Sequence, residues 1–165
     1  MKKTLILLFA TLVFTQIANG QNFFFIGENS YPSTETFTLQ SNSDINDLDV
    51  LFAKDGEKAL IIVSSKLVST VRITGKLIIY LNDGTVVSSN KEVISDNVDD
   101  IASTVYELTD EDLSKLKNSN INTIRYQIEC AECLMNPLYE GNHSASNKGS
   151  SITNFPAVIT EFFNR

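Results

Sequence analysis

Val71-Arg72-Ile73-Thr74-Gly75-Lys76-Leu77-Ile78-Ile79-Tyr80-Leu81 is the stretch whose reading decides the fold. Val71, Ile73, Leu77, Ile79 and Leu81 share one face of an extended chain, with Arg72, Thr74 and Lys76 on the other. That is the period of two of a strand with one buried side. Gly75 interrupts the inner face and marks a bulge. Just beyond the stretch, Asp83-Gly84 leads into Val86-Val87; upstream, Asp55-Gly56 lies between Leu48-Asp49-Val50-Leu51-Phe52 and Ala59-Leu60-Ile61-Ile62-Val63. Asp-Gly accommodates the positive φ angles of a tight turn and the β-branched flanks favour pleated pairing, so both read as hairpins. The expected fold class is β-rich α+β: an antiparallel sandwich or curled sheet with one inserted helix and one C-terminal helix.

The inserted helix lies between Tyr106 and Cys130, which read as strand, helix, strand. Thr109 is a good N-cap, Asp110, Glu111 and Asp112 suit the positive end of the helix dipole, and Lys115 and Lys117 suit the other end. Leu113 and Leu116 supply its buried stripe, and Asn118 to Asn120 break it. Ile124, Tyr126, Ile128 and Cys130 then alternate with Arg125, Gln127 and Glu129, as in a half-exposed strand. In the C-terminal helix Asn154 is the cap, Pro156 sits in the first turn, and Phe155, Val158, Ile159 and Phe162 repeat at helical spacing. Those aromatics read as core packing. Between Ala131 and Thr153 lies a stretch rich in Asn, Ser and Gly, expected to be a long polar loop, functional or mobile.

Tyr106-Glu107-Leu108-Thr109-Asp110-Glu111-Asp112-Leu113-Ser114-Lys115-Leu116-Lys117, followed by Ile124-Arg125-Tyr126, resembles a strand-helix-strand segment of small uncharacterised exported bacterial proteins. The resemblance implies export and a β-rich fold, and it transfers no site.

Export is also what the N-terminus implies. Lys2 and Lys3 form a basic region, Leu5 to Phe14 is an apolar run, and Ala18-Asn19-Gly20 supplies the small residues of a cleavage site. Residues 1–20 are thus expected to be a secretory signal peptide, Gln21 the mature N-terminus, and 21–165 a single β-rich domain. The apolar run is about half of the roughly 20 residues that a transmembrane helix needs. No membrane span is expected after cleavage, and the mature protein is expected in the periplasm or outside the cell.

Removing Lys2 and Lys3 leaves 11 basic residues against 20 acidic ones, a net charge of −9. Phosphate-backbone binding needs clustered Lys and Arg, so nucleic acid is excluded as the expected partner.

Cys130-Ala131-Glu132-Cys133 is the strongest chemical motif. A C-x-x-C pair can be a dithiol, half of a zinc site or a short disulfide. A structural zinc would need His143 and a carboxylate such as Glu132 or Glu140 to complete four ligands. A redox dithiol is normally carried at a helix N-terminus, whereas this pair follows a strand. A structural disulfide between Cys130 and Cys133 is the leading expectation, with free thiols as the remaining alternative.

Ser88-Ser89-Asn90-Lys91 and Ser95-Asp96-Asn97 match S-x-x-K and S-D-N of penicillin-recognising enzymes, but they are too close together and no K-T-G follows. His143, the only histidine, would have to serve any Ser-His-Asp site; it reads as an exposed loop residue. Asn142-His143-Ser144 fits a glycosylation sequon, discounted because the short Lys-Lys region looks bacterial. The acidic runs Asp44 to Asp49 and Asp96 to Asp100 lack the Gly and distal Glu of an EF-hand loop and read as solvated turns. No catalytic residue, metal or cofactor is implied. The expectation is a non-enzymatic domain that binds an unknown protein or small ligand through its sheet edges or the 131–153 stretch. The alternative is thiol-disulfide exchange, or another enzyme activity, at Cys130 and Cys133.

Overall fold

A computed structural model describes residues 22–67, 71–130, 140–149 and 152–164. The chain is strand-rich, with a near-closed antiparallel sheet and two helices. Strands β1 (Asn22–Ile26), β2 (Asn29–Ser33), β3 (Phe37–Ser41), β4 (Leu48–Asp55) and β5 (Lys58–Lys66) come first. They are followed by β6 (Val71–Leu81), β7 (Val86–Ser89), β8 (Glu92–Val98) and β9 (Ile101–Leu108). Helix α1 (Asp110–Asn118) precedes β10 (Ile121–Cys130) and β11 (Gly141–Ser146), and helix α2 (Phe155–Phe163) comes last. The sheet runs β7-β6-β10-β11-β3-β4-β5-β9-β8, with β2 joining β4 alongside β3 and β1 pairing with β2.

Burial follows the sequence pattern closely. β6 and β10 alternate, and they bury one face only. β4 and β5 are apolar without alternation because both of their faces are covered. Inside lies the main core, which includes Val50, Phe52, Ile61 and Val63 together with Ile73, Ile79, Ile124 and Ile128. Outside, the β1–β2 hairpin lays Ile26 and Tyr31 over Leu51, Ala53, Leu60 and Ile62 as a second, smaller cluster.

Gly75 does mark a bulge. Thr74 pairs with Gln127 and Ile78 with Arg125, so Gly75, Lys76 and Leu77 together stand opposite Tyr126. Two extra residues leave the inward parity of β6 unchanged, which is why its alternation survives the interruption. The second irregularity has the opposite effect. Asn122 is a single extra residue in β10 between the Ile121–Leu81 and Thr123–Tyr80 pairs. It switches the buried positions from odd to even, so that Ile121 and then Ile124, Tyr126 and Ile128 all face inward.

Both Asp-Gly dipeptides join paired strands, by different turns. Asp55 pairs with Lys58, so the loop is Gly56-Glu57, with Gly56 at φ 60°. Gly84 instead follows Asn82-Asp83 at φ 85°. Its N–H donates to Leu81 O and the Leu81 N–H to Thr85 O, a three-residue hairpin loop with glycine in the left-handed position.

The helices close one end of the sheet, where Leu116, Phe155 and Ile159 enter the main core. The asparagine break after α1 has a constructive role. Asn120 accepts the Phe155 N–H, donates to Thr153 O and offers its own carbonyl to Asn82 N–H. Asn147 adds bonds to Ile121 O and to both backbone groups of Thr153. Phe155 then stands edge-on to Phe37 and Phe52, with centroids 5.5 and 6.1 Å away.

One sequence expectation needs correction here. Part of the supposed 131–153 loop, Gly141–Ser146, is strand β11, inserted between β10 and β3. Its polarity hid it. Only Ala145 is fully buried, and the outward hydroxyls bond to neighbouring side chains. Asn42 Nδ2 donates to Ser144 Oγ and Ser146 Oγ, and Ser146 Oγ lies 2.9 Å from Thr123 Oγ1.

Candidate interaction surface

Cys130 is the last residue of β10; it is half-buried and packs against the main core. Cys133, Glu132 and the rest of 131–139 lie outside the described residues, as do residues 1–20. A strand therefore carries Cys130, as the alternation predicted. Of the other proposed zinc ligands, Glu140 is exposed at the entry to β11. Among the described residues no three His, Cys, Asp or Glu side chains come together as a metal site.

His143 is a strand residue, not a loop residue. It pairs with Tyr126, their ring centroids are 6.0 Å apart, and its Nδ1 lies 3.3 Å from Ser43 Oγ. Ser43 Oγ is also 3.4 Å from Ser41 Oγ, so the serine and histidine belong to the exposed polar ladder that ties the bend after β3 to β11. The acidic run beside it is similarly occupied. Asp47 accepts the Ser41 N–H and Asp49 accepts the Thr38 hydroxyl. Of the penicillin-enzyme lookalikes, Ser89 donates to Glu107 O, and Lys91 pairs with the Glu107 carboxylate. That lysine, with Lys58 at 3.4 Å, holds the Glu107 carboxyl below its ordinary range.

Two tyrosine hydroxyls, those of Tyr106 and Tyr126, are buried with no hydrogen-bond partner among the described residues. Burial, with the nearby Asp47 charge adding to it, pushes Tyr126 up to about 12; burial and Glu92 push Tyr106 up as well.

β1 presents an open edge beside exposed aromatic side chains. Ile26 pairs with Asn29 across the two-residue turn Gly27-Glu28, with Gly27 at φ 55°. Antiparallel pairs alternate from such a turn, so Asn22, Phe24 and Ile26 use their backbone groups toward β2 while Phe23 and Phe25 direct theirs to the open edge. Pro32 is tolerated opposite Phe23 because that position needs no N–H for the ladder. Among the described residues β1 pairs with β2 alone.

Side chains alternate in the same way. Ile26 is buried and Phe24 half-buried, whereas Phe23 and Phe25 are 48% and 72% exposed, with centroids 6.5 Å apart. Beside them a shallow cavity of about 360 Å³ is lined by Phe23, Phe24, Thr34, Glu35 and Leu51. Thr34 uses its hydroxyl internally, accepting from Phe52 N and donating to Glu35 O. An exposed edge strand is normally guarded by a charge, a proline or a bulge, and β1 carries none of these.

Sequence reasoning missed this hairpin. The signal was present: Ile26-Gly27-Glu28-Asn29 repeats the Gly-Glu turn of Asp55-Gly56-Glu57-Lys58, and both glycines take a similar positive φ. No protein family matches the chain, and no curated protein or solved structure does so. Among the described residues no helix is long and apolar enough to cross a membrane.

Proposed function

We propose that this chain is an exported, non-enzymatic interaction domain that receives an extended segment of a partner along the open edge of β1. The carrying observation is the unguarded edge strand with Phe23 and Phe25 side by side on its outer face. An edge of this kind supplies main-chain hydrogen bonds for affinity, and the alternating side chains supply selectivity. Export rests on Lys2, Lys3, the apolar run and the small-residue site at Ala18 to Gly20, with cleavage before Gln21 releasing a mature chain to the periplasm or outside the cell. In that oxidising setting Cys130 and Cys133 form a structural disulfide at the end of β10, a strand-borne position that does not favour thiol exchange.

Two measurements test this. Intact mass of the exported protein should begin at Gln21; a mature chain retaining Met1 would refute export. Cross-linking of the exported protein should give partner adducts that disappear in Phe23→Ser/Phe25→Ser, and an unchanged set of adducts would refute the β1 surface.

A further inference from the structure

Resting on the reading of β1 as an interaction edge, we infer that one partner of this edge is a second copy of the same chain, joined antiparallel β1 to β1 about a two-fold axis through Phe24. The open edge already has the geometry required. Phe23 and Phe25 direct their N–H and C=O groups outward, while Phe24 directs its own toward β2. In the register centred on Phe24, Phe23 of each copy faces Phe25 of the other as a hydrogen-bonded pair. The two copies thus exchange four backbone bonds, and all five residues of β1 overlap. The same register places each Phe23 ring beside the other copy's Phe25 ring on the exposed face, joining two pairs of rings into a single cluster.

Charge points to the same partner. Asn22 to Ile26 contain no ionisable side chain in a mature chain of net charge −9. Two copies repel over most of their surface but can meet along this strip with no like charges placed opposite one another within the strands. The contact is small. With each phenylalanine offering at most about 150–250 Å², of which Phe23 still exposes about half and Phe25 about three quarters, the four rings contribute only some 500 Å², below the roughly 1,200 Å² of a stable interface. The association is therefore reversible and concentration-dependent.

Sedimentation of the mature protein over a wide concentration range should show a monomer–dimer equilibrium that Phe23→Ser/Phe25→Ser abolishes. Phe25→Pro is the second variant. It removes an outward N–H without removing a β1–β2 bond, and should also give a monomer with an unchanged circular dichroism spectrum. Register is read by disulfide trapping. In the proposed pairing, positions 23 and 25 of opposite copies have Cα atoms about 5.5 Å apart, within disulfide reach, whereas like positions are about 8 Å apart and outside it. A mixture of Phe23→Cys and Phe25→Cys proteins should cross-link well above either protein alone. A wild type that stays monomeric at its highest soluble concentration overturns the inference, as does a dimer that survives both edge variants. If the wild type is monomeric yet its adducts with other proteins still depend on Phe23 and Phe25, the interaction edge stands and only the second copy is refuted.

Discussion

Thr104 on β9 is wholly buried and donates its hydroxyl to the backbone carbonyl of Ile73 on β6, across the seam where the two ends of the sheet meet. Ser89 Oγ to Glu107 O and Asn97 Nδ2 to Val71 O cross the same seam. Side chains thus do there what a strand ladder does elsewhere. Thr104→Val keeps the shape and removes the donor, so it should cost about 1–3 kcal/mol, read as a lower urea midpoint with an unchanged slope. A midpoint equal to wild type would show that the seam does not depend on this bond.

The β8–β9 turn is strained. Val98 pairs with Ile101, so its two loop residues are Asp99 and Asp100, at φ 53° and 64°. Two positive φ angles in succession suit Asn-Gly, and here two adjacent carboxylates also repel. Asp99→Asn/Asp100→Gly should raise stability by about 1 kcal/mol in thermal unfolding. A decrease would mean that the acidic pair makes a compensating contact.

Helix α1 begins with a reciprocal cap. Thr109 Oγ1 accepts the Asp112 N–H at 3.1 Å, and the Asp112 carboxylate accepts the Thr109 N–H at 3.2 Å. Thr109→Ala should cost on the order of 1 kcal/mol, while dimerisation and any binding at β1, on a different strand, remain unchanged in the folded fraction. Unaltered stability would indicate that the packing of Leu113 and Leu116 holds the helix without the cap.

Tyr106 and Tyr126 make stability fall in alkali. Each phenol has its folded-state pKa raised above the ordinary value near 10, that of Tyr126 to about 12, so the folded state holds its proton longer than the unfolded state. Stability is then fully present below pH 10 and is lost as pH rises from 10 toward 12, by about 1.4 kcal/mol per pH unit for each tyrosine. Tyrosinate absorbance should appear together with loss of circular dichroism. Tyr126→Phe should make the fall shallower; an unchanged slope would exclude Tyr126 as a source.

What could be read in the sequence divides along physical lines. β6 and β10 have one wet and one dry face, and their alternation shows it. The uniform runs of β4 and β5 signalled strands but not their second cover, because a run buried on both sides carries no information about what lies over each side. β8 was illegible, since Glu92–Val98 has no fully buried residue. β11 was misread because its core contribution is little more than Ala145, while its serines and asparagines bond sideways. At the candidate surface, Phe23-Phe24-Phe25 looks like a uniform apolar run. Only the pairing begun by Gly27-Glu28 separates the half-buried Phe24 from its two exposed neighbours, and Pro32 obscured that strand pair.

The place of β3 in the sheet carries a consequence for the order of assembly. One edge of β3 is taken at once by β4, but the other waits for β11: Ser41 pairs with Ala145, and Asn42 N donates to Ser144 O. Phe155 and Ile159, which seal the end of the same core, are made later still. A chain emerging from its N-terminal side therefore holds an unfinished apolar trough through most of synthesis, since contacts so distant in sequence cannot form early. Closure is timed by the arrival of residues 141–159. Until then the trough stays open along β3 and at the end that Phe155 and Ile159 cover.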